Sequence, residues 1–425
     1  MFSLYVIGLY VTLCASQNTG TLNIETPLPM NIQVCSAPGS CQNEAGGIVL
    51  DAHWRWYHKI DDYDNCYVGN IWNSALCPDP DSCTANCAIE GIDQSEWGGT
   101  STGNELSIRL VTQGQHSRNV GARTYLLDSS LQKYYMFKLI NREFTFDVDV
   151  SQLACGMNGA LYFVEMEADG GASRFPTNKG GAKYGTGYCD AQCPHSVKYI
   201  NGKANSGNWE PSPTDPISEQ TQCEGIECGD NASGDRYNGV CDKDGCDFAS
   251  YRLGDRSYYG TGSNFKVDTS RKVTVVTQFI TSDGTDNGDL QEIRRFYVQD
   301  GQRIENSFTN LPGLSSYDSI TEDFCIESKR IFGDFDHHSQ LGGLKEMGEA
   351  LRRGVVLVFS LWTDHEANML WLDSNYPVDA NPSNPGVSRG PCPTDSGVPQ
   401  DVENANPDAT VRFSNIKFGA IGSTT

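Results

Sequence analysis

The stretch Phe144–Gly171, FTFDVDVSQLACGMNGALYFVEMEADGG, holds two runs of alternating side chains. In the first, Phe146, Val148 and Val150 share one face while Asp147 and Asp149 point outward from the other. In the second, Tyr162, Val164 and Met166 face one way and Phe163, Glu165 and Glu167 the other. A period of two in residues rich in valine and aromatics is that of β-strands with an apolar face turned to a core. Both acidic pairs read as solvated charges, Glu165 and Glu167 sitting beside a turn at Asp169-Gly170-Gly171.

The same signal recurs at Leu106–Val111, Val273–Phe279, Val355–Leu361 and Val411–Phe418, each bounded by turn-rich sequence. One helix stands out, Leu344–Arg353, with Leu344, Met347 and Leu351 on one face. No repeat, low-complexity run or Pro/Ser/Thr-rich linker divides the chain, so the expected fold is all-β, a single large sandwich.

Residues 1–16 are uncharged, mostly apolar and end in Cys14-Ala15-Ser16, the pattern of a secretory signal peptide. Such a run is too short to span a bilayer. Sixteen cysteines in an exported chain point to disulfides, and no histidines sit at zinc-ligand spacing. With Cys14 removed an odd number remains, so at least one thiol is left over from intramolecular pairing. A net charge of −23 without basic runs argues against nucleic acid and anionic membranes as partners and is compatible with a neutral substrate. Asn231 in Asn231-Ala232-Ser233 is a glycosylation sequon.

Candidate substrate contacts are aromatic. Trp54 and Trp56 in DAHWRWYH lie two apart, which on a strand puts them on one face with Arg55 opposite; Trp362 precedes Trp371 in SLWTDHEANMLWLDS. Flat aromatic faces suit the C–H faces of pyranose rings, and core filling is the competing reading. Glu165 and Glu167 offer the paired carboxylates that acid/base hydrolysis of sugars needs, against the surface reading above.

These segments, together with GGAKYGTGYCDAQC at Gly180–Cys193, GNELSIRLVTQ, NVGARTYLL, INGKAN, GDRYNGVCDKDGCDFASYRLGDRSYYG and VRFSNIKFGAIGST, resemble glycoside hydrolase family 7, the secreted cellulases, in family order along nearly the whole chain after residue 16. The resemblance implies a β-jelly-roll sandwich of two large antiparallel sheets with long disulfide-stapled loops. It also implies a groove or tunnel that binds β-1,4-glucan, retaining hydrolysis and no cofactor. The loop Tyr376–Pro399 resembles a tunnel roof and favours the cellobiohydrolase type over the endoglucanases. Residues 17–425 are expected to be one catalytic-type domain, monomeric, without a linker or cellulose-binding module.

Carried over residue by residue, Trp54, Trp56, Trp362 and Trp371 match glucose-stacking platforms. Tyr162, Tyr188, Asp190 and Gln192 match groups near the cleavage point, and Arg236, Asp244, Arg252 and Arg389 match contacts to the leaving cellobiose. Thr363, Asp364, His365 and Glu366 replace the bulky tunnel pair expected after Trp362. The resemblance implies disulfides Cys35–Cys41, Cys66–Cys87, Cys77–Cys83, Cys155–Cys392, Cys223–Cys228 and Cys246–Cys325.

The catalytic motif is where this chain departs from the family. Relatives carry Glu-x-Asp-x-x-Glu on one strand, with the first glutamate as nucleophile and the last as acid/base, a retaining pair lying ~5–5.5 Å apart. Here Trp209–Pro216 runs straight into Ile217-Ser218-Glu219-Gln220-Thr221-Gln222 and Cys223, and no catalytic residue is expected between Pro216 and Cys223. By the same resemblance Cys189, Cys193 and Cys241 lose the partners that the absent stretch would supply. Glu322, Asp323 and Glu327 come nearest in spacing but read as a loop, and Glu210 and Glu219 flank the gap without better support.

The expected function is therefore a cellulose-degrading enzyme whose present chain is inactive. The alternatives are a non-catalytic secreted glucan binder, an endo-acting glucanase once the segment is restored, and an unrelated lectin-like sandwich.

Overall fold

The computed structural model describes residues 16–69, 71–115, 117–192, 197–205, 235–239 and 241–425. Residues 1–15 of the expected signal peptide, Cys193, residues 216 and 217 with Glu210 and Glu219, the expected Cys223–Cys228 pair and Asn231 lie outside them.

Two sheets dominate. The ten-stranded sheet runs Gly99–Ser101, Glu105–Arg109, Thr410–Ala420, Arg142–Asp149, Val273–Thr281, Leu290–Gln299, Gln302–Glu305, with Ile32–Ala37, Ser40–Glu44 and Ile320–Thr321 as branches. Its pairings are antiparallel except for Thr410–Ala420 against Ile32–Ala37, which is parallel. The six-stranded sheet runs Met136–Phe137, Val355–Thr363, Ala122–Leu127, Gly47–Leu50, Leu28–Pro29. The sixth strand, Met157–Val164, pairs antiparallel with Val355–Thr363 along all its 8 residues.

Alternation places two apolar layers on the smaller sheet. Leu357, Phe359 and Leu361 with Ile48, Leu50 and Leu126 meet Phe144, Phe413 and Val411 of the larger sheet in the main core, where Leu161 and Phe163 also pack. The intervening residues Val356, Val358, Val49, Tyr125, Tyr162 and Val164 form a second layer under Met166, Ala182 and Tyr188. Residues 166–192 thus lie over the sheet face that carries the site.

The runs Val273–Phe279, Val355–Leu361 and Val411–Phe418 form whole and extended, whereas Leu106–Val111 is interrupted at Leu110 and the strands expected to reach Val150 and Met166 end at Asp149 and Val164. Among the described residues Met157–Val164 has a partner strand on one side only. Its burial agrees, since only Met157 is fully buried, whereas every residue of Val355–Thr363 except Trp362 is.

Some expectations need correction. Trp54 and Trp56 do not share a strand, because Asp51 accepts a hydrogen bond from the His53 N–H and caps a 3-10 turn at Ala52–Trp54; the strand begins only at Tyr57. Asp147 is not a surface residue. It is buried under Lys272, whose Nζ lies 3.0 Å away, with Thr274 and Asn415 donating to it at 2.6 Å each. Asp149 is half-buried beside Arg412. Glu322, Asp323 and Glu327 lie on a second long helix, Glu322–Phe332, rather than a loop. The predicted helix forms as Gly343–Arg353; Leu344 and Leu351 are buried, while Met347 lines a cavity and is largely exposed.

Disulfides Cys35–Cys41, Cys66–Cys87, Cys77–Cys83, Cys155–Cys392 and Cys246–Cys325 form as expected. Cys189 does not stand without contacts, since its thiol donates to Asp190 O at 3.7 Å, and Cys241 also has a partner. No helix among the described residues is long and apolar enough to cross a membrane.

Candidate functional site

A cavity of about 820 Å³ is lined by parts of the segment 166–192 and reaches as far as Phe279 and Ile293 of the larger sheet. Arg123, Tyr188, Asp190 and Lys198 line one part, and Phe163, Phe279, Ile293 and Met347 another. The second group is apolar, and Phe163, Phe279 and Ile293 in it also belong to the main core or pack against it.

Asp51 organises the polar part. Its Oδ2 accepts from the Tyr125 hydroxyl and from Arg123 Nε at 3.1 Å, and Oδ1 accepts from the His53 N–H at 2.6 Å. Burial opposes ionisation of this carboxyl, but Arg123, the Tyr125 hydroxyl and the His53 amide outweigh it and hold its pKa below the ordinary value. The Arg123 guanidinium lies 3.5 Å from the Tyr188 ring centre and 5.4 Å from that of Trp54. Tyr188 donates its hydroxyl proton to Asp190 Oδ2 at 2.6 Å, and its oxygen lies 3.0 Å from the Tyr162 hydroxyl. Asp190 Oδ1 accepts from the Gln192 N–H at 2.8 Å, and Gln192 Nε2 donates to Lys243 O at 2.7 Å. Burial raises the pKa of both tyrosines, keeping them neutral donors. Tyr162, Tyr188, Asp190 and Gln192 are thus brought together, on a charged base that the sequence reading did not include.

Lys198 also went unread. Its Nζ donates to His53 O at 2.5 Å and sits 4.5 Å from the Tyr67 ring centre and 5.1 Å from that of Tyr57. Burial lowers its pKa to about 8. The signal for Arg123 was a lone charge inside the apolar run Ala122–Leu127; for Lys198 no local signal exists.

The tryptophans fall in two places. Trp54 donates its indole N–H to Val120 O at 3.2 Å, and Trp56 donates to Asn65 Oδ1 at 2.6 Å while stacking on His58. Trp362 and Trp371 come together at 6.4 Å between ring centres, with the Trp371 indole N–H donated to Asp364 Oδ2 at 2.8 Å.

A third cluster holds the cationic candidates. Arg236 Nε donates to Asp244 Oδ1 at 2.9 Å, and the Tyr237 hydroxyl to Oδ2 at 2.8 Å. Arg252 is buried, reaches Asp247 at 3.0 Å and Asp334 at 3.2 Å, and donates Nε to Gly386 O at 3.0 Å. Arg389 reaches Trp371 O at 3.4 Å, and its Nε is buried without a protein partner among the described residues. Burial, and then the charge of Arg252, lowers its pKa. A neutral polyol with hydroxyl acceptors would satisfy that donor.

The candidate carboxylates Glu165 and Glu167 line the cavity. Glu165 and Glu167 are exposed, as expected, and engage Arg353 at 2.5 Å and Arg174 at 3.6 Å. Glu322 accepts from Ser339 and the Leu344 N–H at 3.2 and 3.1 Å, while Glu327 accepts from the Ser315 N–H at 3.1 Å; neither faces the cavity.

The model of glycosyl hydrolase family 7 matches residues 19–220 and again 216–425. A family 7 cellobiohydrolase from Daphnia pulex is similar at 56% identity and TM-score 0.91, with 96% of this chain and 100% of that chain covered. A cellobiohydrolase from Melanocarpus albomyces, solved with cellotetraose, follows at 39% identity and TM-score 0.85, with the same coverage. The Humicola insolens endocellulase is 34% identical at TM-score 0.78, again covering 96% and 100% of the two chains.

Proposed function

Because the chain belongs to glycosyl hydrolase family 7 and is by that relationship a cellulose-degrading glycosidase, we propose that its gene specifies a retaining cellobiohydrolase, while these 425 residues on their own do not hydrolyse cellulose. The observation that carries the reading is the family match in two stretches that meet at residues 216–220. That is the place where the catalytic strand is expected, and nowhere does the sequence contain Glu-x-Asp-x-x-Glu. The pairing of Met157–Val164 on one side only among the described residues supports the same reading. Higher identity to two cellobiohydrolases than to the endocellulase favours the chain-end-acting type.

In this reading the tryptophans stack glucose units, the Tyr162–Tyr188–Asp190–Gln192 cluster lines the cleavage point, and Arg236, Asp244, Arg252 and Arg389 hold the departing cellobiose. The protein acts outside the cell as a monomer of one domain, residues 17–425, after loss of residues 1–16, with Asn231 glycosylated. Five disulfides in the described residues are the support for an oxidising compartment. A second reading, a glucan binder without hydrolysis, is favoured by the intact pairing of Trp362 with Trp371.

Two measurements test these readings. Transcript sequence across Pro216/Ile217 is expected to reveal an in-frame segment carrying the motif. Purified 425-residue chain is expected to release no cellobiose from cellulose; measurable release would overturn the proposal. If the junction is genuine, cellulose pull-down with Trp56→Ala and Trp371→Ala tests the binder.

A further inference from the structure

Outside the residues that line the cavity, His58, Trp56 and Tyr63 form an aromatic series. His58 anchors it, only 1% exposed. Its Nδ1 lies 2.8 Å from both Lys59 O and Asp62 O, and its Nε2 lies 3.0 Å from Glu90 Oε2. Glu90 in turn accepts from the N–H groups of Leu22, Asn23 and Gly91 at 3.1, 3.3 and 2.9 Å. The imidazole is therefore fixed at both nitrogens.

Trp56 stacks on this ring with centroids 4.1 Å apart and planes inclined by 29°. Its indole N–H is held by Asn65, so the ring cannot swing out without losing both contacts. Tyr63 extends the series at 6.2 Å and 28° from Trp56. The turn bearing Tyr63 is fixed as well, since its N–H donates to Asp62 Oδ1 at 2.7 Å. Yet Tyr63 is 74% exposed, whereas Trp56 is half-buried.

We infer that Tyr63 is a stacking platform for β-1,4-glucan outside the cavity, taking the C–H face of a pyranose ring ahead of Trp56. The inference rests on the glucan-binding reading above. A pre-ordered aromatic ring offers apolar area at little entropic cost, and its π face matches axial C–H groups. Asp61, Asp64 and Asn65 stand exposed beside it in the chain as acceptors for sugar hydroxyls. Those carboxylates would repel a polyanion, which leaves a neutral chain as the occupant. The hairpin that follows, Tyr67–Val68 with Ile71–Trp72, adds the facing pair Val68 and Ile71 at 61% and 72% exposure, apolar flanks for a glucan surface.

The experiment compares the full chain with Tyr63→Ala and Tyr63→Phe in adsorption isotherms on microcrystalline cellulose and in titration with cellohexaose. Tyr63→Ala is expected to weaken adsorption about two- to tenfold, the size of one aromatic stacking contact, and Tyr63→Phe to leave it unchanged. Because Tyr63 is exposed, its removal leaves folding intact, which thermal unfolding verifies. Equal adsorption by the parent and Tyr63→Ala would overturn the platform alone, as would a loss with Tyr63→Phe as large as with alanine. No adsorption by the parent would overturn the glucan-binding reading beneath it.

Discussion

Restoring the family's catalytic strand between Pro216 and Ile217 is expected to close the open side of Met157–Val164. In an antiparallel strand about half of the backbone N–H and C=O groups point to each neighbour. With a partner on one side only among the described residues, this 8-residue strand has about four donors and about four acceptors on its other side. If only about four new hydrogen bonds form, at ~0.5–1.5 kcal/mol net each, the gain is ~2–6 kcal/mol. That is a large share of the ~5–15 kcal/mol by which domains are stable, so the 425-residue chain should express poorly and unfold at lower urea.

Amide hydrogen exchange of both proteins reads the same effect locally. In the present chain, peptides covering Met157–Val164 should exchange about half their amides quickly while Val355–Thr363 stays protected. The inserted form should protect both strands alike. Equal protection of the two strands in the present chain would refute the open edge; an insertion that leaves Met157–Val164 unchanged would show that the segment docks elsewhere.

Two further predictions concern the charged base of the site. Asp51→Asn leaves Arg123 without its buried counter-ion and should cost about 3–5 kcal/mol in urea unfolding at pH 7, a change below about 1 kcal/mol contradicting the assigned role. Because the folded pKa of Asp51 is depressed, its stabilisation is present above the ordinary value of 3.8 and fades as pH falls through the lower folded value; the asparagine variant should lack that acid-side loss. Lys198 behaves oppositely. Its folded pKa of about 8 lies below the ordinary 10.5, so the unfolded chain binds the extra proton between those values and stability should rise with pH across that window. Lys198→Met should remove this rise, as measured by denaturation at pH 7.5 through 10.5, and an unchanged slope would contradict the burial of the amine.

Much of the fold was legible because burial on a sheet writes itself as a period of two. Leu161 and Phe163 meet the main core while Tyr162 and Val164 meet the second layer, as the alternation requires. The helix Glu322–Phe332 escaped because its buried face is Phe324, Cys325, Ser328 and Lys329, a mixture with no apolar stripe. Its end signals were present, in Thr321 as N-cap, Glu322 and Asp323 in the first turn, and Gly333 at φ 74° closing it. Asp147 sat on the face that alternation assigned, but its cover comes from Lys272, Thr274 and Asn415, far along the chain. Trp54 and Trp56 were misplaced because Asp51, which also holds Arg123, caps the turn Ala52–Trp54 and the strand begins only at Tyr57. The charged base of the site is a tertiary construction, and no short window of sequence contains it.

The disulfide Cys155–Cys392 closes a ring 237 residues in sequence, and the Pro216/Ile217 junction lies inside that ring. Closure entropy grows only with the logarithm of ring size, so adding or deleting some tens of residues there changes it by ~0.1 kcal/mol. Covalent topology is thus nearly indifferent to the length of this segment. The ring accommodates gain or loss of the stretch as slack, so the energetic consequence falls on local partners, the backbone edge of Met157–Val164 foremost.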